Sequence, residues 1–356
     1  MSSPWLSLFG ITYPIVQAPM AGTATVALAA AVSNAGGLGS LGLGSSSVEQ
    51  ARTQIQALKQ ATTKPFNVNF FCHQPAPTRD EARNQHWLQL LQPYFSEFAA
   101  QPPKHITSDY PSFIDNPAMV EMLLIERPPV VSFHFGLPSQ AVITALQQAG
   151  IKLLGCATNV AEAKAIEAAG LEGVIAQGIE AGGHRGVFEP EHDLELGLFG
   201  LLQLLGKHCS LPIIAAGGIM NGQGVNQVLT MGASAAQLGT AFILCPESDA
   251  NAAYRRHLGS AKAYATGITA VISGRPARGL VNRMHQELGA HIHALPAYPT
   301  AYSAAKALNS VASTQDCYDF APFWAGQGAP LARALPATEL MAALISEWHQ
   351  ARSFSR

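Results

Sequence analysis

Eight short apolar runs separated by alanine-rich amphipathic segments predict an α/β fold: a (β/α)8 TIM barrel with a smaller α/β second domain inserted over its mouth. Three observations carry this. Strand–helix alternation is strict, which implies a parallel sheet. The run count is eight, at which such a sheet closes on itself. Polar residues and glycines gather at the carboxyl ends of runs whose interiors are Val, Ile, Leu and Ala, and barrel enzymes build their sites at those ends. A doubly wound open sheet is the alternative. It is disfavoured because the first strand-to-helix turn has no G-x-G-x-x-G.

In chain order, residues 14–19 read as a first strand ending at Met20. Residues 25–34 follow as a helix, stopped by Gly36 and Gly37. Residues 38–43 are a second strand. Ser46 offers an N-cap, with Glu49 three residues on as a capping box, for a helix to about residue 61. Residues 66–70 are a third strand. The rhythm then breaks from about 73 to 127, with several prolines, scattered aromatics and patchy helical periodicity. This reads as an insertion after the third strand, and a long insertion in a compact fold is more often functional than idle. The rhythm resumes with a fourth strand at 130–134 and a helix capped by Ser139. Further strands are expected at 152–156, 173–177, 212–216 and 235–239, with helices at 160–169, 196–208 and 223–231 between them. After Phe242 the pattern loosens, and Trp324 with residues 338–348 looks like a closing helical segment. The expected division is a barrel from 1–74, 120–256 and 318–356, with 75–119 and 257–317 forming a substrate or lid domain.

Composition excludes several classes. Of 356 residues, 48% are hydrophobic and 12% charged, enough apolar material for a large core and too little charge for a disordered chain. Net charge is -2, which does not point to nucleic acid or to an anionic membrane surface. The five cysteines are scattered, with no zinc-knuckle or C-x-x-C spacing, so no metal site is expected. The N-terminus has no basic n-region or apolar h-region, and no run approaches the roughly 20 uncharged apolar residues of a membrane span. The expectation is a cytoplasmic protein.

The candidate site residues lie at the strand ends. The loops after strands seven and eight, the usual phosphate site of such barrels, hold Gly217-Gly218 and Gly239-Thr240. Glycine lets backbone N–H groups approach an oxyanion closely. Asn69 and Gln177 end two apolar strands. Each suits a flavin's pyrimidine edge or ribityl hydroxyls, or equally a backbone hydrogen bond. Strand alternation puts Val131, Phe133 and Phe135 towards the outer helices, and Ser132 and His134 into the barrel. His134 is then a ligand contact or a hydrogen-bonded core histidine. His184, in the glycine-flanked Ala-Gly-Gly-His-Arg-Gly loop, can take a proton or hold an oxyanion. Tyr298, Tyr302 and Lys306 are spaced i, i+4, i+8, with Pro299 suited to a first helical turn. They make a receptor for a small anion, or an ordinary amphipathic face with a snorkelling lysine.

On these residues the chain resembles the class I nitronate monooxygenases, formerly called 2-nitropropane dioxygenases. The matching stretches are QAPMAG at 17–22, NVNFF at 67–71, SFHFG at 132–136, AGGHRG at 181–186, AAGGIMNG at 215–222, QLGT at 237–240 and YPTAYSAAK at 298–306. AGGH and the glycine loops are shared with related FMN barrels, whereas SFHFG and the 298–306 run narrow the match. The resemblance implies FMN-dependent oxidation of alkyl nitronates such as propionate 3-nitronate by O2, through a flavin semiquinone, to a carbonyl product with nitrite and nitrate. It implies His184 as the catalytic residue. It implies Met20, Asn69, Gln177, Gly182, Gly217, Gly218, Gln237, Leu238, Gly239 and Thr240 as FMN contacts, and Tyr110, His134, Tyr298, Tyr302 and Lys306 as the substrate pocket. A homodimer and a role in detoxification are compatible with it. The alternative on the same barrel is an NAD(P)H-dependent FMN reductase of quinones or enoyl-acyl-carrier protein.

Overall fold

The computed structural model describes residues 4–75, 80–107 and 112–354. Eleven strands are present among them: β1 Ile15–Gln17, β2 Gly39–Gly42, β3 Phe66–Phe71, β4 Val130–His134, β5 Lys152–Ala157, β6 Gly173–Gln177, β7 Gly183–His184, β8 Ile213–Ala216, β9 Ala235–Leu238, β10 Thr266–Thr269 and β11 Ala277–Leu280. Eight form one all-parallel sheet in the order β1-β9-β8-β6-β5-β4-β3-β2. Its two ends meet, since the Gln17 N–H donates to the Leu38 carbonyl at 3.0 Å and the Leu38 N–H to that of Ile15 at 2.9 Å. The result is the expected TIM barrel.

The strands carry two apolar faces. Val68, Val131, Phe133, Leu153 and Val174 pack outwards against the helices. Val16, Leu38, Val130, Leu154, Ile175 and Ile214 fill the barrel, together with Trp5 and Phe9. These two rings come from the short helix Pro4–Phe9, which thereby plugs the interior. The outer helices begin on side-chain caps, among them Thr25, Asn116, Ser139, Asn159 and Asn221. Each such cap is worth about 1 kcal/mol. The helix Val48–Ala61 is capped one residue later than expected, by Ser47, which forms the box with Gln50. Two overlapping S-x-x-E/Q registers were available, and the serine nearer the helix is the one used. The closing helix Ala337–Phe354 packs so tightly on Gly222–Thr230 that a Cβ at Gly222 would lie 2.3 Å from the Leu344 carbonyl oxygen.

Two departures from the sequence reading matter for the site. First, the irregular segment after β3 contains a 17-residue helix, Glu81–Glu97, with Pro93 inside it. Its buried Trp87, Leu88, Leu91 and Phe95 share one core with Ala301, Ala304 and Leu308 of the helix Thr300–Ser313. Its exposed side carries Arg83, His86, Gln89, Pro93, Ser96 and Glu97, a mixture that hid the stripe. Second, β10, β11 and β7 form a small antiparallel sheet. In it His184 pairs with Ala277. Strands this short, with a glycine in each, show no alternation to read.

Candidate active site

A cavity of about 350 Å³ opens at the carboxyl ends of the barrel strands. It is lined by Met20, Asn69, His134, Gln177, Gly182, His184, Gly217, Gly218, Gln237, Gly239, Thr240, Tyr302 and Lys306, residues predicted from eight separate chain segments. Three predicted residues stand elsewhere. Leu238 turns its side chain into the outer core and is 1% exposed. Tyr298 is buried behind the cavity wall, its ring 5.6 Å from that of His184. Tyr110 lies outside the described residues.

One end of the cavity is built from glycines with little choice of replacement. Gly217 and Gly218 have φ of +132° and +68°, a region side chains disfavour. A Cβ on Gly182 would stand 2.5 Å from the backbone N of Gly326. Thr240 Oγ1 accepts a hydrogen bond from that N–H at 3.0 Å, so its own proton remains available to a ligand.

The polar strand-end residues are already engaged in ways that define what is left. Asn69 Nδ2 donates to Ser132, to its carbonyl at 3.1 Å and its hydroxyl at 2.9 Å. Its carbonyl oxygen is what it can offer a ligand. Gln177 holds the His184 loop. Its Nε2 donates to the His184 carbonyl at 2.9 Å, and its Oε1 accepts from the Gly186 N–H at 2.7 Å and from Arg185 at 3.3 Å. His134 also donates to the His184 carbonyl, from Nε2 at 3.1 Å. Gln237 Oε1 is buried with no hydrogen-bond partner among the described residues, an acceptor awaiting a donor.

His184 reaches this point on β7, and its ring is boxed by aromatic neighbours. Ring centres of Trp324, Phe135 and Tyr298 lie 5.3, 5.7 and 5.6 Å away. Phe135 corrects the expectation from strand alternation. Its backbone is left-handed (φ 72°), β4 has ended, and the ring turns to Tyr298 and His184 rather than to the outer helices. The Arg275 guanidinium sits 4.5 Å over its face. Burial, then His134, then Arg275 push the His184 pKa down to about 3. Burial pushes His134 down to about 4, with Arg275 and Arg185 adding to it and the hydrogen bond to His184 opposing. Both imidazoles are neutral at physiological pH. At the mouth, the Lys306 ammonium stands 4.6 Å over the Tyr302 ring.

Among known proteins, the nitronate monooxygenase family profile matches residues 2–347. The chain belongs to the nitronate monooxygenase family. It is 53% identical over 349 residues to a nitronate monooxygenase of Pseudomonas aeruginosa, covering 98% of this chain and 99% of that one. In three dimensions it matches a nitroalkane oxidase from Streptomyces ansochromogenes with a TM-score of 0.90 and 39% identity, over 99% of this chain and 100% of the other. FabK from Thermotoga maritima also matches, with a TM-score of 0.77 and 27% identity over 100% and 99% of the two chains.

For this nitronate monooxygenase family member, several residues that sequence reasoning missed complete the site. Ser273 and Trp324 touch or bond His184, and Gly326 and Gly328 line the cavity. Arg185 is 0% exposed and locks the His184 loop, donating to the carbonyls of Gln177 and Gly178 and bidentately to Asp193 at 2.8 and 3.1 Å. For Asp193 burial favours the neutral acid, but the bonds and charge of Arg185 outweigh it and hold the carboxyl below its ordinary range. Only Arg185, adjacent to His184 in AGGHRG, had a sequence signal. Among the described residues no His/Cys/Asp/Glu group could hold a metal, and no helix is long and apolar enough to cross a membrane.

Proposed function

We propose that the cavity binds FMN and that the chain, an oxidoreductase of this family, oxidises alkyl nitronates with O2. The residues present fit the cofactor. The cavity volume is within the roughly 300–1,000 Å³ of cofactor sites. Gly217, Gly218, Gly239 and Thr240 offer N–H and O–H donors for a phosphate. The unpaired Gln237 acceptor and the Asn69 carbonyl oxygen suit N–H and polar edges of a flavin ring. Bound FMN would supply the electron acceptor for the nitronate and the centre at which O2 is reduced.

The observation that carries the substrate class is the placement of His184 in an aromatic box, with the Lys306 ammonium over Tyr302 at the mouth of the same cavity. An imidazole whose pKa is held near 3 keeps its lone pair at every working pH, yet is a weak base. It can take a Cα proton from a neutral nitroalkane only slowly. A nitronate, already deprotonated, needs no such step and is the better substrate. The aromatic wall of Phe71, Trp324 and Tyr302 excludes water around the reacting carbon. Lys306 with Tyr302 at the mouth suits a second negative charge, which propionate 3-nitronate carries as its carboxylate. Residues 75–119 and 257–317 would serve as the lid over this mouth, since the helices Glu81–Glu97 and Thr300–Ser313 within them share one apolar core.

The test is the visible spectrum of the purified protein, identification of its released cofactor, and O2 uptake with propionate 3-nitronate without nicotinamide. Rapid uptake by a yellow, FMN-containing protein, with nitrite formed, is expected. A yellow protein that ignores the nitronate but is bleached anaerobically by NADPH would overturn the proposal in favour of a reductase.

A further inference from the structure

We infer that Ser273 is a positioning residue that fixes the tautomer of His184, so that the imidazole meets the substrate as a proton acceptor through Nδ1 and never as a donor. The inference rests on the substrate reading above for its kinetic consequence, but not for its structural content.

The protons around one buried oxygen, Ser273 Oγ, fix the tautomer. Ser273 is 0% exposed, and its Oγ has three partners: His184 Nε2 at 2.8 Å, the Arg275 carbonyl oxygen at 3.1 Å and the Arg275 backbone N at 3.3 Å. A carbonyl only accepts, so the single hydroxyl proton goes to Arg275. An amide N–H only donates, so it takes one oxygen lone pair. The remaining lone pair faces His184 Nε2, which must therefore carry the proton. In the opposite tautomer Nε2 would present a lone pair, and Ser273 would have to choose between it and the Arg275 carbonyl, leaving one buried acceptor unpaired. Nδ1 of His184 makes no hydrogen bond among the described residues and is left to the cavity that the side chain lines. The aromatic box prevents the ring from turning over to exchange the two nitrogens at no cost.

The consequence is a division of labour. A lone pair at Nδ1 can accept the Cα proton of a neutral nitroalkane. It gives no hydrogen bond to the oxygens of an anionic nitronate, whose charge must be met elsewhere. Ser273 thus governs activity on the neutral acid and leaves the activity on its anion largely alone.

The experiment uses the holoenzyme labelled with 15N-histidine. The two-dimensional spectrum of the wild type, assigned by loss of signals in His184→Asn, should show His184 protonated at Nε2 with Nδ1 of pyridine type. In Ser273→Ala the buried Nε2–H has no acceptor, which disfavours that tautomer by a factor on the order of ten. The spectrum should move towards Nδ1–H. In the same variant kcat/KM for nitroethane should fall about tenfold while that for ethyl nitronate stays within about twofold. Ser273→Thr, which keeps the hydroxyl, should restore both the spectrum and the nitroethane activity. A wild-type His184 protonated at Nδ1 overturns the inference whatever the substrate proves to be. So does a Ser273→Ala variant with full flavin content in which both substrates lose activity equally. If the protein oxidised no nitronate at all, the functional reading would fall and the spectrum alone would decide the tautomer.

Discussion

Replacing Asp193 by Ala should destabilise the protein by about 3–5 kcal/mol. Arg185 is completely buried, and two of its guanidinium nitrogens end on Asp193, whose side chain is 9% exposed. Its other nitrogen is satisfied by carbonyls, which carry no charge. Removing the carboxylate leaves a buried cation without its bonded counter-charge, and breaking one partner of such a pair costs about 3–5 kcal/mol. At about 2.1 cal/mol/K per residue, a chain of 356 residues unfolds with an entropy of about 0.75 kcal/mol/K. The melting temperature should therefore fall by about 4–7 °C, read by calorimetry on samples saturated with FMN so that cofactor loss does not contribute. The double variant Arg185→Met/Asp193→Leu removes the charge as well as its partner and should recover most of the loss. If Asp193→Ala melts within a degree of the wild type, or if the double variant is no better than the single one, the pair is not the lock on the His184 loop.

Three further outcomes are expected. His184→Asn should retain FMN but lose about 100-fold or more in turnover of neutral nitroalkanes, which need a base; loss of flavin with unchanged turnover per flavin would contradict the assignment. Lys306→Met should raise the KM for propionate 3-nitronate by about tenfold and leave that for ethyl nitronate unchanged, as steady-state kinetics on the two anions will show. Acid should destabilise the fold well above the carboxylate range. Burial and then Arg275 hold His73 down to about 4, and His134 and His184 are held down to about 4 and 3. Each is neutral when folded but gains a proton when unfolded below about pH 6.5. Stability is complete above that pH and falls towards pH 4, at about 1.4 kcal/mol per unit for each histidine. For His73 alone, which is 3% exposed, this is about 2 kcal/mol by pH 5. A flat urea-denaturation profile between pH 7 and 5 would refute it.

How much of this was legible in the sequence depended on whether a residue's surroundings were local. β4 was read with its bounds correct because a period of two and a run of apolar residues are properties of the chain itself. The period failed one residue later, at Phe135, where a left-handed backbone returns the ring to the site. The helix Glu81–Glu97 was missed because its polar side outweighs its stripe, and the stripe packs on residues some 200 positions on, among them Ala301, Ala304 and Leu308. The candidate site shows the same divide in sharper form. Sequence identifies donors and acceptors, but not which of them are already bonded to one another. Gln177 and Asn69 look like free amides in the chain, yet one is spent on the His184 loop and the other has only an oxygen to give. Ser273 carries no signal at all, because its meaning comes from His184, 89 residues away, and from a carbonyl two residues ahead that claims its only proton. The chemistry of the site therefore depends on which hydrogen-bonding capacity folding leaves unused: the Nδ1 of His184, the Oε1 of Gln237 and the hydroxyl proton of Thr240.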